Sequence, residues 1–254
     1  MSASLMSAAD PLAPTAGVSR HAPPARPARV LAVVGMHRSG TSCLTGSLQE
    51  AGLFLGDCQT WNPFNEKGNR ENLAFVDLHE AILEANDGAW DRPPRRALWQ
   101  PEHTRRAAEL LAEHADAPVL GFKDPRALLL IGGWQALVPE LELVGIFRHP
   151  EAVALSLKRR SNLERAHALE LWYHYNRALL RLRRQRAFPL LCFDEPDAVF
   201  QSKVVLAARQ LGLPREPAAS EFFDSQLKQY GGDTLSDLPW RVRRLYKQLQ
   251  RLSL

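Results

Sequence analysis

Cysteine is scarce in this chain of 254 residues. The three present, Cys43, Cys58 and Cys192, have no spacing that a zinc or iron–sulfur site needs, so no metal is expected from them. Their odd number and scatter argue against a disulfide framework and favour reduced thiols, which makes the cytoplasm the expected compartment. No apolar run approaches the ~20 residues that a membrane span requires. No sign of charge dominates: 32 Lys and Arg face 28 Asp and Glu, and the net charge of +4 with a pI near 9.1 gives a mild bias towards an anionic ligand or partner. Met1 to Ala28 is rich in Ala, Pro and Ser, with Pro11, Pro14, Pro23, Pro24 and Pro27 placed to break any helix. It lacks the apolar core of a secretory signal and reads as a disordered tail over residues 1–28, leaving 29–254 as one domain. With 45% hydrophobic and 24% charged residues, that domain has the composition of an ordinary soluble globular protein.

The most informative stretch runs from Val30 to Leu48. Val30 to Val34 is an apolar run that reads as a buried parallel strand. Gly35, Met36, His37, Arg38, Ser39, Gly40, Thr41 and Ser42 follow, and from Thr41 a helical pattern sets Leu44, Leu48 and Ala51 on one face. Strand, glycine-bounded loop and helix make a phosphate cradle, in which backbone N–H groups and the positive end of the helix dipole face an anion. The alternative is an ordinary glycine turn. Gly35, Gly40 and Ser42 keep the spacing of the ATP/GTP loop G-x-x-x-x-G-K-[ST], but Thr41 stands where the Lys would reach the β/γ-phosphates. With Arg38 inside the turn instead, the loop suits a shorter anion such as a 5′-phosphosulfate.

The segment GMHRSGTS resembles the 5′-phosphosulfate-binding loop of the sulfotransferase family, in the Arg-containing form of bacterial and tyrosylprotein sulfotransferases. The resemblance implies 3′-phosphoadenosine-5′-phosphosulfate (PAPS) as donor, held by Gly35, His37, Arg38, Ser39, Gly40, Thr41 and Ser42, with Arg38 also reaching the transferred group. It also implies a three-layer α/β/α domain with a central parallel sheet, the P-loop NTPase-like sulfotransferase fold. A second family pattern lies downstream. Arg148, seven intervening residues, Ser156, three more and Arg160 resemble the 3′-phosphate-binding motif. Arg148 falls at the end of the apolar run Leu141–Phe147, and Ser156 and Arg160 are four residues apart on one face of the helix that follows. An arginine fork and a hydroxyl can then converge on one phosphate.

Between these motifs, Asp57 to Arg70 is a long polar loop, followed by a helix from Glu71 with Leu73, Phe75, Val76, Leu78, Ile82 and Leu83 at helical spacing. Asn65-Glu66-Lys67-Gly68-Asn69-Arg70-Glu71 resembles a family segment, although Asn69 departs from the aromatic common there. Glu71 is either the general base for the acceptor hydroxyl or a carboxylate that stabilises a helix N-terminus. His79, two turns on, reads as a surface or packing residue. Trp90 and Trp99 belong either to a lid or rim of the acceptor site or to the core. Val119 to Phe122 is a second buried strand, and Lys123-Asp124-Pro125 at its carboxyl end resembles a recurrent family segment. Lys123 would neutralise charge on the sulfuryl group or its leaving phosphate, the alternative being a structural Lys–Asp pair. Pro125 is placed to start a helix.

Leu163 to Arg186 is a long amphipathic helix with an Arg-rich end, Phe188 to Phe193 a fourth strand, and Val199 to Leu211 a further helix. The C-terminal segment is a basic helix that packs on the domain or on another copy. Alternating strands and helices imply a parallel sheet covered on both faces. The expected function is transfer of a sulfuryl group from PAPS to a hydroxyl or amine of an unidentified small-molecule or glycan acceptor, with a carbohydrate among the candidates. No metal, no nucleic acid and no membrane span are expected. A P-loop kinase or NTPase is disfavoured by the absent Lys and the lack of an acidic strand end for Mg²⁺. A catalytically inactive nucleotide-binding module fits less well with the presence of Arg38, Glu71 and Lys123.

Overall fold

The computed structural model describes residues 26–61, 68–217 and 237–254. Most of the expected tail, and Asn65, Glu66 and Lys67 of the family-like segment, lie outside the described residues.

Val30–Val34, every residue buried, forms strand β1. It pairs in parallel with β2 (Leu120–Lys123) on one side and β3 (Glu142–Phe147) on the other, and β3 pairs with β4 (Leu190–Cys192). The sheet order is therefore β2-β1-β3-β4. The chain leaves β1 for one edge and then returns to its opposite side, so the order reverses between β1 and β3. In open α/β sheets that reversal opens a crevice at the carboxyl ends of the strands.

Helices make the crossovers: α1 (Thr41–Glu50), α2 (Leu73–Glu84) and α3 (Pro101–Ala112) join β1 to β2. α4 (Ala127–Leu137) joins β2 to β3, and α5 (Pro150–Ser161) and α6 (Arg165–Gln185) join β3 to β4. α7 (Asp197–Gln210) and α8 (Trp240–Gln250) follow. Period-two alternation along the strands divides the core in two. Val30, Ala32, Val34, Leu143 and Phe147 face one side, with apolar residues of α2, α3, α4, α5, α6 and α8. Leu31, Val33, Val144, Ile146 and Leu191 face the other, with Leu44 and Leu48 of α1 and Phe200, Val204 and Ala207 of α7. This is the expected three-layer α/β/α arrangement around a parallel sheet.

Boundaries differ from the expectation where capping decides them. α2 begins at Leu73 because Asn72 caps it, its side chain accepting the Ala74 N–H, so Glu71 lies outside the helix. Pro125 does not start α4. Asp124 and Pro125 instead accept the Ala127 and Leu128 N–H groups in a preceding turn. α3 starts at Pro101, with Pro in its first turn where the missing N–H costs no helix bond. α8 packs on the domain itself through Val242, Leu245, Tyr246 and Leu249 and leaves Arg241, Arg244 and Lys247 exposed. Among the described residues no helix is long and apolar enough to cross a membrane.

Gly145, central in β3, sits where a Cβ would lie 2.9 Å from both Leu190 Cδ1 and Phe188 Cε2. Gly145→Ala should therefore overpack the joint between β3 and β4 and cost about 1–3 kcal/mol. The measurement is a lower denaturant midpoint at unchanged slope.

Candidate functional site

β1 delivers the glycine loop to the crevice under tight steric control. A Cβ on Gly35 would lie 2.5 Å from the Ile146 carbonyl oxygen, so only glycine lets the loop leave β1 against β3. The loop turns through a Ser39 N–H to Met36 carbonyl bond of 3.3 Å. Arg38 takes the left-handed conformation at φ 66°, which costs a non-glycine residue on the order of 1–3 kcal/mol. Gly40 also has a positive φ of 85°, and a Cβ there would strike the Phe193 ring at 2.3 Å. Gly40 caps α1 without offering a side-chain acceptor, so the first-turn N–H groups of α1 have no side-chain cap. Gly40, Thr41, Ser42 and Cys43 line the cleft, which places the positive helix end on it.

The other strand ends reach the same cleft: Lys123 ends β2, Arg148 follows β3, and Phe193 follows β4. Arg148 is buried, its guanidinium 5.1 Å from the Phe193 ring centre and its Nε 3.4 Å from Asp194 Oδ1. The Arg148 carbonyl accepts the Trp172 indole N–H at 2.9 Å, fixing the backbone beneath it. Arg160 lines the cleft from the exposed face of α5. Ser156, read from sequence as converging with Arg148 and Arg160 on one phosphate, also meets the glycine loop. Its Oγ accepts the Arg38 Nε–H at 2.8 Å and so ties the glycine loop to the second motif. Burial, then the charges of Arg160 and Arg148, push the Arg38 guanidinium below its usual range. Burial does the same to Arg148 against the opposing pull of Asp194, whose own carboxyl is pushed up by burial. Three crowded guanidinium groups make this part of the cleft a receptor for negative charge.

Lys123, with 3% of its side chain exposed, donates to Glu71 Oε1 at 2.6 Å and to the Asn69 carbonyl at 3.1 Å. Ser42 Oγ lies 3.4 Å from the Lys123 Nζ and itself donates to the Asn69 carbonyl at 3.1 Å. The Lys–Asp pair considered for Lys123 is thus replaced by a Lys–Glu pair across the cleft. Glu71 does not serve the α2 N-terminus, because Asn72 does that. The structure brings Arg38, Glu71, Lys123, Arg148 and Arg160 to one cleft together with the loop residues His37, Gly40, Thr41 and Ser42. Gly35 and Ser39 shape the turn behind it.

His79 is wholly buried and belongs to the packing, not the surface. Trp134 Nε1 can only donate, so His79 Nε2 accepts that bond at 2.8 Å, and His79 Nδ1–H donates to Asp124 Oδ2 at 2.8 Å. Burial raises the Asp124 carboxyl, but the His79 bond and the Arg126 guanidinium outweigh it and hold it well below the usual carboxylate range. Asp124 also accepts the Arg126 backbone N–H at 3.0 Å and its NH1 at 2.9 Å. Trp90 stacks at a tilt against His37 with ring centres 4.8 Å apart, and Trp99 packs edge-on to Trp134 at 5.3 Å. Both indoles therefore join the core, and Trp90 also backs the cleft wall.

Asn69, Arg126, Phe193 and Asp194 were not singled out as site residues from sequence. Phe193 and Asp194 follow an apolar run at the carboxyl end of a strand, a position that could have marked them. Arg126 directly follows Lys-Asp-Pro at the carboxyl end of β2, a position that could have marked it.

No protein-family model and no curated protein matches the sequence. Two solved structures are similar over nearly the whole chain. The sulfotransferase domain from the Synechococcus PCC 7002 olefin synthase aligns over 90% of this chain and 90% of its own, with a TM-score of 0.53 at 16% identity. The sulfotransferase domain from the curacin biosynthetic pathway aligns over 89% of this chain and 98% of its own, with a TM-score of 0.55 at 14% identity. The chain therefore has the sulfotransferase fold.

The Asp124 cluster carries a pH signature. A carboxyl depressed in the folded state stabilises the fold above its unfolded pKa of ~3.9, and that stability is lost as pH falls through the folded value. Asp124→Asn should lower stability at neutral pH by about 3 kcal/mol, in the range for breaking a buried pair. It should also flatten the acid decline below about pH 4, read from urea midpoints at several pH values.

Proposed function

We propose that this chain is a sulfotransferase that uses PAPS. The observation that carries this is the Arg38 Nε to Ser156 Oγ bond of 2.8 Å, which joins the 5′-phosphosulfate-type loop and the 3′-phosphate-type motif at one cleft. The fold shared with two sulfotransferase domains supports it. The residues present suit such a donor. A helix end without a side-chain cap and the left-handed Arg38 suit a phosphosulfate, and Arg148 and Arg160 suit a second phosphate on the same molecule.

PAPS supplies an activated sulfuryl group, whose bond to the 5′-phosphate oxygen breaks as the bond to the acceptor oxygen forms. The roles of the side chains follow from charge and reach. Arg38 and Lys123 neutralise negative charge that builds at the sulfuryl oxygens and the leaving phosphate. Glu71 has Oε1 held by Lys123, which leaves Oε2 to take the acceptor proton. Asn69 and Ser42 hold Lys123 at the transfer point. The acceptor is a small molecule or glycan with a hydroxyl or amine nucleophile, and a carbohydrate fits this class.

The donor assignment predicts that adenosine 3′,5′-bisphosphate raises the melting temperature by several degrees at ~100-fold over its Kd, and that ATP with Mg²⁺ does less. Equal or greater stabilisation by ATP with Mg²⁺ would point to a kinase or NTPase instead. The base assignment predicts that Glu71→Gln lowers sulfuryl transfer by ~10²–10⁴-fold while bisphosphate affinity stays near normal. More than about half of normal turnover would remove Glu71 from that role, since a lost base costs far more.

A further inference from the structure

Phe193 lines the cleft, yet its side chain has no charge and no polar group, and it has no part in the scheme above. It directly follows β4, and its N–H donates to the Phe147 carbonyl at 2.9 Å, which carries the parallel pairing of β3 and β4 one step further. That bond sets Phe193 beside the backbone of Arg148, the residue after Phe147. Phe193 is buried with the apolar residues of α1 and α7, and Phe200 of α7 meets its ring edge-on, with centres 5.4 Å apart and planes at 87°. The ring is thus a fixed part of the cleft wall.

Both proposed anion sites rest on this ring. The Arg148 guanidinium carbon lies over it, 5.1 Å from the ring centre, within the range of a cation–π contact. Among the described residues only the Nε of that guanidinium meets a protein acceptor, Asp194 Oδ1 at 3.4 Å, so its two terminal nitrogens are left for an anion. Gly40 approaches the same ring so closely that a Cβ there would lie 2.3, 2.6 and 2.7 Å from its Cδ2, Cγ and Cε2. Gly40 is the residue that opens α1, whose first-turn N–H groups have no side-chain cap. The start of the glycine loop is stopped in the same manner, Gly35 against the Ile146 carbonyl. Both ends of the loop therefore press on parts of the sheet frame, and a close-packed ring does not compress. The separation of the α1 N-terminus from the Arg148 guanidinium is set by the one ring that both touch.

We propose that Phe193 is a positioning residue that fixes the spacing of the two anion sites, and that this spacing lets the cleft tell a 3′,5′-bisphosphorylated nucleoside from its 2′,5′ isomer. The inference rests on the PAPS reading above and adds the residue that makes the place of the second phosphate count. The two isomers carry the same charge, so the arginines attract both. They differ only in where the second phosphate sits relative to the first. Two sites at a fixed distance take both phosphates of one molecule as linked contacts, and the gain from linkage is lost when the span does not fit. Phe193 is neutral, so replacing it changes the spacing and leaves the charge of the cleft as it was.

The test first measures adenosine 3′,5′-bisphosphate binding to the full chain by calorimetry. Absence of binding overturns the donor assignment and this inference with it. Adenosine 2′,5′-bisphosphate and adenosine 5′-monophosphate are then titrated in the same way. The wild type should bind the 3′,5′ isomer at least about tenfold more tightly than the 2′,5′ isomer, the discrimination expected for one misplaced charge-assisted bond. Equal binding of the two isomers overturns the inference and leaves the donor assignment standing. Phe193→Leu keeps an apolar side chain but removes the flat ring, and should reduce the isomer ratio to about threefold or less. Its affinity for adenosine 5′-monophosphate should stay within about threefold of the wild type, because each site is still present and only their linkage is lost. A loss for the monophosphate as large as that for the 3′,5′-bisphosphate would reveal a general defect and overturn the positioning role. Phe193→Met is the second variant, and denaturant midpoints show that the protein titrated is folded. A folded variant that keeps the full isomer preference also overturns the inference.

Discussion

Contact between the end of β1 and the backbone of β3 is the constraint on which the site depends. With a Cβ at Gly35 only 2.5 Å from the Ile146 carbonyl, the two strands leave no room for any other residue where the loop departs. That closeness sets the glycine loop beside the residue that follows β3, Arg148, instead of splaying them apart. The same parallel sheet carries Lys123 on one flank and Phe193 on the other. Four strand ends thus frame the cleft: Lys123, Arg148 and Phe193 take their positions from the paired strands, while Asn69 and Glu71 reach it from the loop before α2 and Arg160 from α5.

Charge is managed around this frame in layers. Carboxylates stand behind several of the cleft cations: Asp194 behind Arg148, Asp124 and Glu80 behind Arg126, and Glu71 across from Lys123. Arg38 has a hydroxyl partner in Ser156 instead of an acid. Buried cations held this way keep their orientation without an anion present, and the desolvation that burial imposes is offset by bonds already made. At Arg38 the offset is incomplete, since burial and the charges of Arg160 and Arg148 push its guanidinium below its usual range, and an incoming anion there would relieve that repulsion.

Much of this was legible in the sequence. The apolar run Val30–Val34 and the glycine spacing after it marked strand, loop and helix with their boundaries, because burial on both faces, the close approach at Gly35 and the left-handed turn at Gly40 leave clear marks. Arg148, Ser156 and Arg160 were marked by their resemblance to a family pattern, and the fold brings Arg148 and Arg160 to the cleft and Ser156 against Arg38. Partners across the fold were not legible. Nothing local to Ser156 says that its hydroxyl meets Arg38, 118 positions away, or that Glu71 meets Lys123 in place of capping a helix. His79 and Asp124 are 45 positions apart, and only packing shows that the imidazole is buried in a chain ending at Trp134. The role of Phe193 likewise depends on where Gly40 passes, with a Cβ there blocked by the ring.

The hydrogen bond between Arg38 and Ser156 also limits how cleanly the glycine loop and the Arg148–Arg160 segment, the two proposed anion sites, can be separated by mutation. Truncating Ser156 releases the Arg38 guanidinium, and truncating Arg38 strands the Ser156 hydroxyl, so each change reaches into the other motif. Energies measured at these two positions will share a common term, and their sum will exceed the loss in the double variant. The loop and the second motif thus form one thermodynamic unit, and Arg148, whose side chain turns to Asp194 and Phe193 instead, offers the more independent handle on the second motif alone.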